Sequence, residues 1–239
     1  MPRYKSIALT IACLILLQGC KDIPVPQYQA NQYKHVAVIS TFDDQILMSK
    51  YGLALFGNED RMASVDLGAK NSFSAVAVAA LSAKYEVTDL SQYGRQFAEQ
   101  PKYWPDTKIV IGTETRPSAG EVVKRLVSPA TYDAYIIISP GRAIDAGARV
   151  LGGIGIHKMP SFIHDDPCVL YAGALVSVID GKSYDAIAWV ESPPNTRAVL
   201  IDCHAWEAPD QSVAIIKPAL DGLIAKSVPA ALKNAQLIQ

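Results

Sequence analysis

Three short runs hold the residue types best able to do chemistry. His164-Asp165-Asp166 offers an imidazole beside two carboxylates, a donor set suited to a divalent metal, with His157 and His204 as distant partners. A helical His-x-x-x-His pair is absent, and Pro160 and Pro167 mark 157–168 as a loop, so a solvated polar loop is the simpler reading and no metal is expected. Asp202-Cys203-His204 sets a thiol next to an imidazole. Neighbours on a strand point to opposite faces, so these two cannot pair as nucleophile and base within their own strand. Asp43 and Asp44 follow the first apolar run, where an α/β enzyme often keeps a catalytic carboxylate. Asp also bonds its own backbone in turns, and turn chemistry is the simpler expectation.

Other catalytic signatures are missing. No Gly-x-Ser-x-Gly elbow occurs. Gly152, Gly153 and Gly155 fit neither the dinucleotide fingerprint nor the phosphate loop, and suggest a bulge or a close backbone approach. No cofactor is expected. Any small ligand would default to the crevice beyond the carboxyl ends of parallel strands, near Asp43, Thr113, Glu114, Arg116 and Arg142.

The elements that must position these groups read as α/β. Val36 to Ile39 and Ala134 to Ser139 are continuous apolar runs, the pattern of strands buried on both faces. Between them lie strands at Met62 to Leu67, Tyr85 to Leu90 and Lys108 to Gly112. A helix capped by Ser72 buries Phe73, Val76, Ala77, Ala80 and Leu81, and Ser118 with Glu121 forms a capping box for the next helix. This alternation predicts an open mixed sheet with helices packed on it. In the C-terminal half, Cys168 to Ile179 reads as one long strand, and Asp180-Gly181 turns it into an antiparallel hairpin with Tyr184 to Val190. A last strand follows at Arg197 to Cys203. Asp210 caps a helix that Pro218 should kink, and Ser227 and Pro229 restart a short terminal one.

Cys168 and Cys203 stand 35 residues apart, each bordering a strand, so they are either a disulfide or two buried thiols. They lack the Cys-x-x-Cys spacing of a redox pair. Charge excludes another class of function. Of 22 basic and 23 acidic residues, Arg3 and Lys5 belong to the leader, which leaves 20 against 23 and a formal charge of −3. Nucleic-acid binding needs a basic stripe, and there is none.

The leader itself is informative. Arg3 and Lys5 precede an apolar run from Ile7 to Leu17, interrupted only by Thr10. As a helix this run spans about 16 Å, half of a ~30 Å hydrocarbon core, so it is an address and not a span. Leu17-Gln18-Gly19-Cys20 resembles the lipobox of bacterial lipoproteins. The resemblance implies cleavage by signal peptidase II, with 1–19 as signal peptide and Cys20 carrying the lipid. Lys21 rather than Asp after the cysteine is similar to lipoproteins sorted to the outer membrane. Residues 20–34, with Pro24 and Pro26 and no periodicity, read as a tether, and 35–239 as a single α/β domain.

The segment order over 35–192, with the apolar strand Tyr135 to Ile138 and the Val176 to Ser183 hairpin, resembles periplasmic lipoprotein modules such as the soluble domain of the curli-secretion lipoprotein. It is also similar to uncharacterised proteobacterial proteins. The resemblance implies a non-catalytic binding or assembly module, held to the membrane by its lipid and meeting an envelope protein partner. The curli protein's pore-forming segments are not recognisable, so a secretion pore is not implied. The competing expectation is a periplasmic hydrolase or metal-dependent enzyme using the loop Asp and His residues.

Overall fold

The computed structural model describes residues 24–51, 58–98, 109–111, 114–116, 118–127, 132–146, 149–159 and 167–239. In chain order the first elements are α1 (Gln27–Ala30), β1 (His35–Ser40), β2 (Gln45–Lys50), β3 (Glu59–Ser64), α2 (Ala69–Leu81), β4 (Glu86–Asp89) and α3 (Gly94–Ala98). Next come β5 (Ile109–Ile111), β6 (Glu114–Arg116), α4 (Ala119–Val127), β7 (Ala134–Pro140), β8 (Arg142–Ala146), β9 (Arg149–Gly152) and β10 (Ile154–Lys158). The chain continues through β11 (Cys168–Ala172), β12 (Ala174–Asp180), β13 (Ala186–Glu191), β14 (Ala198–Ile201), α5 (His204–Glu207) and α6 (Val213–Asn234).

The strands form two mixed five-stranded sheets with helices packed on them, β13-β12-β7-β1-β4 and β14-β11-β10-β2-β3. The order is the same in both. β1 runs into β2, β7 reaches β10, β11 leads into β12 and β13 into β14, so the second sheet continues the first across a crease. In the first sheet, β1 lies parallel between β4 and β7, while β12 joins β7 and β13 antiparallel. The β12–β13 pair is the expected C-terminal hairpin.

Glycines make the crease. Gly141 N–H donates to the Gly173 carbonyl (2.9 Å), Gly173 N–H to Gly153 (2.8 Å) and Gly153 N–H to Gly141 (2.9 Å), a closed ring of three backbone hydrogen bonds. A Cβ on Gly173 would sit 2.6 Å from the Gly141 carbonyl oxygen, and one on Gly141 would sit 2.8 Å from the Leu175 nitrogen. Gly153 also needs a positive φ, 70°. The close approach expected of the Gly152–Gly155 run is therefore present. The same ring corrects the long strand expected over Cys168 to Ile179. Gly173 breaks it, and the halves belong to different sheets.

Helices α2 and α6 cover one face of both sheets, closing the main core over Val36, Val38, Ile136, Ile138, Val176 and Leu170. On the other face of the first sheet, α4 buries Val122 and Val123 against Ile39, Tyr135 and Ile137. Each fully buried Ile of β7 contributes roughly 2–3 kcal/mol. The α4 capping box is present in both directions: Ser118 N–H donates to Glu121 Oε2 (3.0 Å) and Glu121 N–H to Ser118 Oγ (3.2 Å).

Several boundaries differ from expectation. The second helix begins at Ala69 instead of after Ser72, because Asp44 Oδ1 accepts the Ala69 N–H (2.8 Å) and caps it from across the crease. A short 3₁₀ turn, Pro209–Ser212, precedes α6, so Asp210 lies in that turn. Neither Pro218 nor Pro229 interrupts α6. The carbonyls they deprive, at Ala214 and Ala225, lie on exposed residues where water can serve them. The buried face, Ile216, Leu220, Leu223, Ile224, Val228 and Leu232, outweighs a proline cost of about 3 kcal/mol. Finally, the described part of the expected tether, residues 24–34, packs on the domain. Val25 and Ala30 are fully buried, Val25 N–H donates to the Ala235 carbonyl (3.2 Å), and Tyr85 Oη lies 3.1 Å from the Ala30 carbonyl oxygen. Apolar residues at these positions outweigh the polar composition that suggested a flexible linker.

Candidate functional site

The parallel strands β1 and β7 end at the crease, and a cavity of about 590 Å³ opens there. Its wall is mainly apolar, from Phe42, Leu47, Met62, Pro140, Ile154 and Leu175, with hydroxyls from Thr41, Ser139 and Ser177. This is the crevice position that α/β sheets favour for ligands. Phe42 stacks on Phe73 of α2, ring centroids 3.6 Å apart. Met62 of the lining is 59 % exposed. Asp43 is the single ionisable side chain among the described lining residues. Its Oδ1 accepts the Gln45 N–H (3.0 Å), the turn chemistry expected of it, and the second carboxylate, Asp44, is committed to capping α2.

Of the other predicted crevice residues, Arg142 is not among those lining this cavity. Arg142 lines a different cavity, of about 690 Å³, beside Asp145, Glu191 and Arg197. There Arg142 Nη2 lies 2.7 Å from Asp145 Oδ1, and Arg197 Nη2 lies 3.4 Å from Glu191 Oε2, so each guanidinium faces a carboxylate. Arg142 is the first residue of β8, in the β8–β9 hairpin that stands between β7 and β10 in the chain. Glu114 and Arg116 are the ends of β6, which pairs with β5 in a separate two-stranded ladder. Thr113 lies outside the described residues, as do Cys20 and the run His164-Asp165-Asp166.

Cys168 and Cys203 are joined by a disulfide, with Cα atoms 5.1 Å apart. It ties the start of β11 to the turn that follows β14. Residues 202–204 are not strand: Asp202 Oδ1 accepts the His204 N–H (2.8 Å) and starts α5. Cys203 is thus a bonded sulfur, without a thiol for nucleophilic chemistry.

His157 also differs from expectation. It lies in β10, not in a loop, and is 4 % exposed on the outer face of the second sheet. Its Nδ1 is 3.0 Å from Ser49 Oγ, and the Tyr51 ring lies 5.2 Å from the imidazole. Burial holds this imidazole below its ordinary pKa, against opposing contributions from Ser49 and Asp60. On the same face burial pushes the Tyr171 phenol well up, with Tyr51 and Asp60 adding to it. The serine is fully buried, so the Ser49–His157 pair is a core polar contact that no substrate reaches. The alternation of Ile154 and Ile156 with Gly155 and His157 is the sequence signal for this strand. Among the described residues, no group of three or more His, Cys, Asp or Glu side chains is arranged to hold a metal ion, and no helix is long and apolar enough to cross a membrane.

No family model and no curated protein sequence matches the chain. Among solved structures it is similar to a DUF330 protein from Xanthomonas campestris, at 9 % identity over 91 % of this chain and 96 % of that one, with a TM-score of 0.35. It is also similar to the PelC dodecamer from Paraburkholderia phytofirmans, at 10 % identity over 86 % and 96 % of the two chains, TM-score 0.28. A third is lipoprotein GNA1162 from Neisseria meningitidis, at 10 % identity over 76 % and 95 %, TM-score 0.28.

Proposed function

We propose that this chain is a lipid-anchored module of a bacterial cell envelope, acylated at Cys20 and acting by binding or assembly instead of catalysis. The observation that carries this reading is Leu17-Gln18-Gly19-Cys20, set at the end of the eleven-residue run Ile7 to Leu17 and just ahead of the packed domain. Lys21 supports the outer membrane as the destination, with the domain facing the periplasm. The crease cavity supports binding. It is apolar, walled with hydroxyls and served by one carboxylate already held in a turn, an arrangement that suits an apolar side chain or segment of an envelope protein better than a hydrolytic reaction.

Membrane fractionation of wild type against Cys20→Ala tests the anchor. Wild type is expected in the membrane pellet with an intact mass raised by its acyl chains, and the variant in the soluble fraction. A Cys20→Ala chain that still pellets, or a wild-type mass without lipid, refutes the assignment. Crosslinking from a photoreactive residue at Gln45, on the cavity rim, tests the binding role. A discrete envelope-protein adduct is expected, and one that forms equally from a photoreactive residue at Lys226, on the exposed side of α6, refutes the cavity as its site.

A further inference from the structure

The length of chain between Cys20 and Val25, the first buried residue among those described, limits which end of the domain meets the membrane. This step rests on the acylation of Cys20 proposed above. Val25 is fully buried and bonded to Ala235, and five residue steps separate it from Cys20. Five steps reach at most about 18 Å even when fully extended. The part of the domain around Val25 therefore cannot stand off from the lipid-bearing sulfur by more than about that distance.

That part is one end of the first sheet. Tyr85 Oη, which touches the Ala30 carbonyl, also lies 2.9 Å from the Leu237 carbonyl oxygen, two residues past the Ala235 that holds Val25. Tyr85 leads into β4, whose Glu86 pairs with His35 at the start of β1. On the other side, Gln29 of α1 donates to Asp180 Oδ2 (3.3 Å) at the β12–β13 hairpin, and Asp180 pairs with Ala134 at the start of β7. The starts of β1, β4 and β7, the tip of the hairpin and the last turn of α6 thus share the anchored end.

We infer that this end lies against the lipid headgroups, and that β1 carries the chain away from the membrane so that the crease cavity opens on the aqueous side. Six residues of β1 at about 3.3 Å each set the cavity roughly 20 Å beyond His35. Exposed Lys34, Lys84, Lys182 and Lys233 rim the anchored end. Of its carboxylates, Asp133 accepts the N–H groups of Lys34 and His35, Asp180 those of Lys182 and Ser183, and Glu86 is paired with His35 at 2.9 Å, while Asp185 is exposed. Lys84 Nζ lies 3.5 Å from the Leu237 carbonyl oxygen, while the ammonium groups of Lys34, Lys182 and Lys233 have a longer reach toward a phosphate layer than Asp133 and Asp180, which are held on backbone N–H groups.

The test uses the full acylated chain in vesicles of phosphatidylethanolamine and phosphatidylglycerol at 3:1. Single cysteines at exposed positions, Lys34→Cys and Lys182→Cys at the anchored end and Gln45→Cys at the cavity, each carry a fluorophore. Lipids with a nitroxide on the headgroup quench them. Labels at 34 and 182 are expected to quench at least twofold more than the label at 45. An acylated chain in which the 45 label quenches as strongly as the other two overturns the orientation and leaves the anchor standing. A chain whose intact mass lacks acyl groups overturns both. Hydrogen exchange of the unlabelled chain, with and without vesicles, gives a second reading: added protection over 27–34 and 182–185 supports the orientation, and added protection over 41–45 alone overturns it.

Discussion

The two sheets share one strand order and differ in what holds them. In the first, β1, β7 and β12 are central strands buried on both faces, with α2 and α6 on one side and α4 on the other. The second shares only the α2 and α6 side. Its outer face is closed by the small β8–β9 hairpin, Tyr171, and the polar pair Ser49 and His157. Its edge strands are exposed, with Leu200 of β14 70 % accessible and β3 mostly so. The domain thus has one half with helices on both faces, at the end where Val25 packs, and a half held by a few local devices: the glycine ring, the disulfide and one buried imidazole. The cavity lies on the boundary between them.

The glycine ring is the device both halves need, and breaking it gives the largest effect. Gly173→Val drives its side chain into the backbone of Gly141 and Arg142, so either the ring opens or β12 shifts its register against β7. A loss of about 4 kcal/mol or more is expected in chemical denaturation. Gly222→Ala is the control, since a Cβ there meets nothing within 4 Å on the exposed side of α6 and should stabilise by about 0.5–1 kcal/mol. Equal behaviour of the two variants would show that the crease is not a close-packed joint.

The disulfide comes next and bears on the second sheet alone. Removing both sulfurs, Cys168→Ala with Cys203→Ala, frees a 35-residue loop and is expected to cost about 3–4 kcal/mol. Hydrogen exchange should locate the loss in β10, β11 and β14, with β1 and β7 keeping their protection. Uniform loss over both sheets would mean that they unfold as one unit and that the division drawn above is wrong.

That division also explains what the sequence made legible. Strands buried on both faces announce themselves by composition: Val36 to Ile39 and Tyr135 to Ile138 admit few other readings, and the first sheet follows from them. Asp180-Gly181 and the Ser118–Glu121 box are local signals, and both fall where they should. The crease has no such local signal. Gly173 sits in a run apolar on both sides, and its role depends on Gly141 and Gly153, 32 and 20 residues away. The same holds for the cavity, since Asp43 lines it while Arg142 opens a hairpin, whose insertion no periodicity records, and lines another. Chain order locates strand ends, but only the fold decides which of them meet. Asp44 caps a helix 25 residues on, and Val25 reaches Ala235, for reasons of tertiary contact that composition hides.

The smallest predicted effect is also the most selective for the second sheet. His157 is buried and held neutral, its pKa depressed by burial, while in the unfolded chain it titrates near 6.5. Above that value neither state binds the proton, and the contact with Ser49 contributes fully. As pH falls through 6.5 toward the lower folded value, the unfolded chain takes up a proton that the folded one refuses, so this contribution is lost. Stability of the second sheet should therefore decline between pH 7.5 and 5 more than that of the first. Of the remaining described histidines, His35 and His204 are exposed and lie off this face. Hydrogen exchange of β10 and β11 amides across that range, corrected for intrinsic rates, measures the decline. His157→Gln, which can still bond Ser49 without titrating, should flatten it. A decline of the same size in the glutamine variant would assign the pH response to carboxylates elsewhere and remove His157 from the devices that distinguish the two sheets.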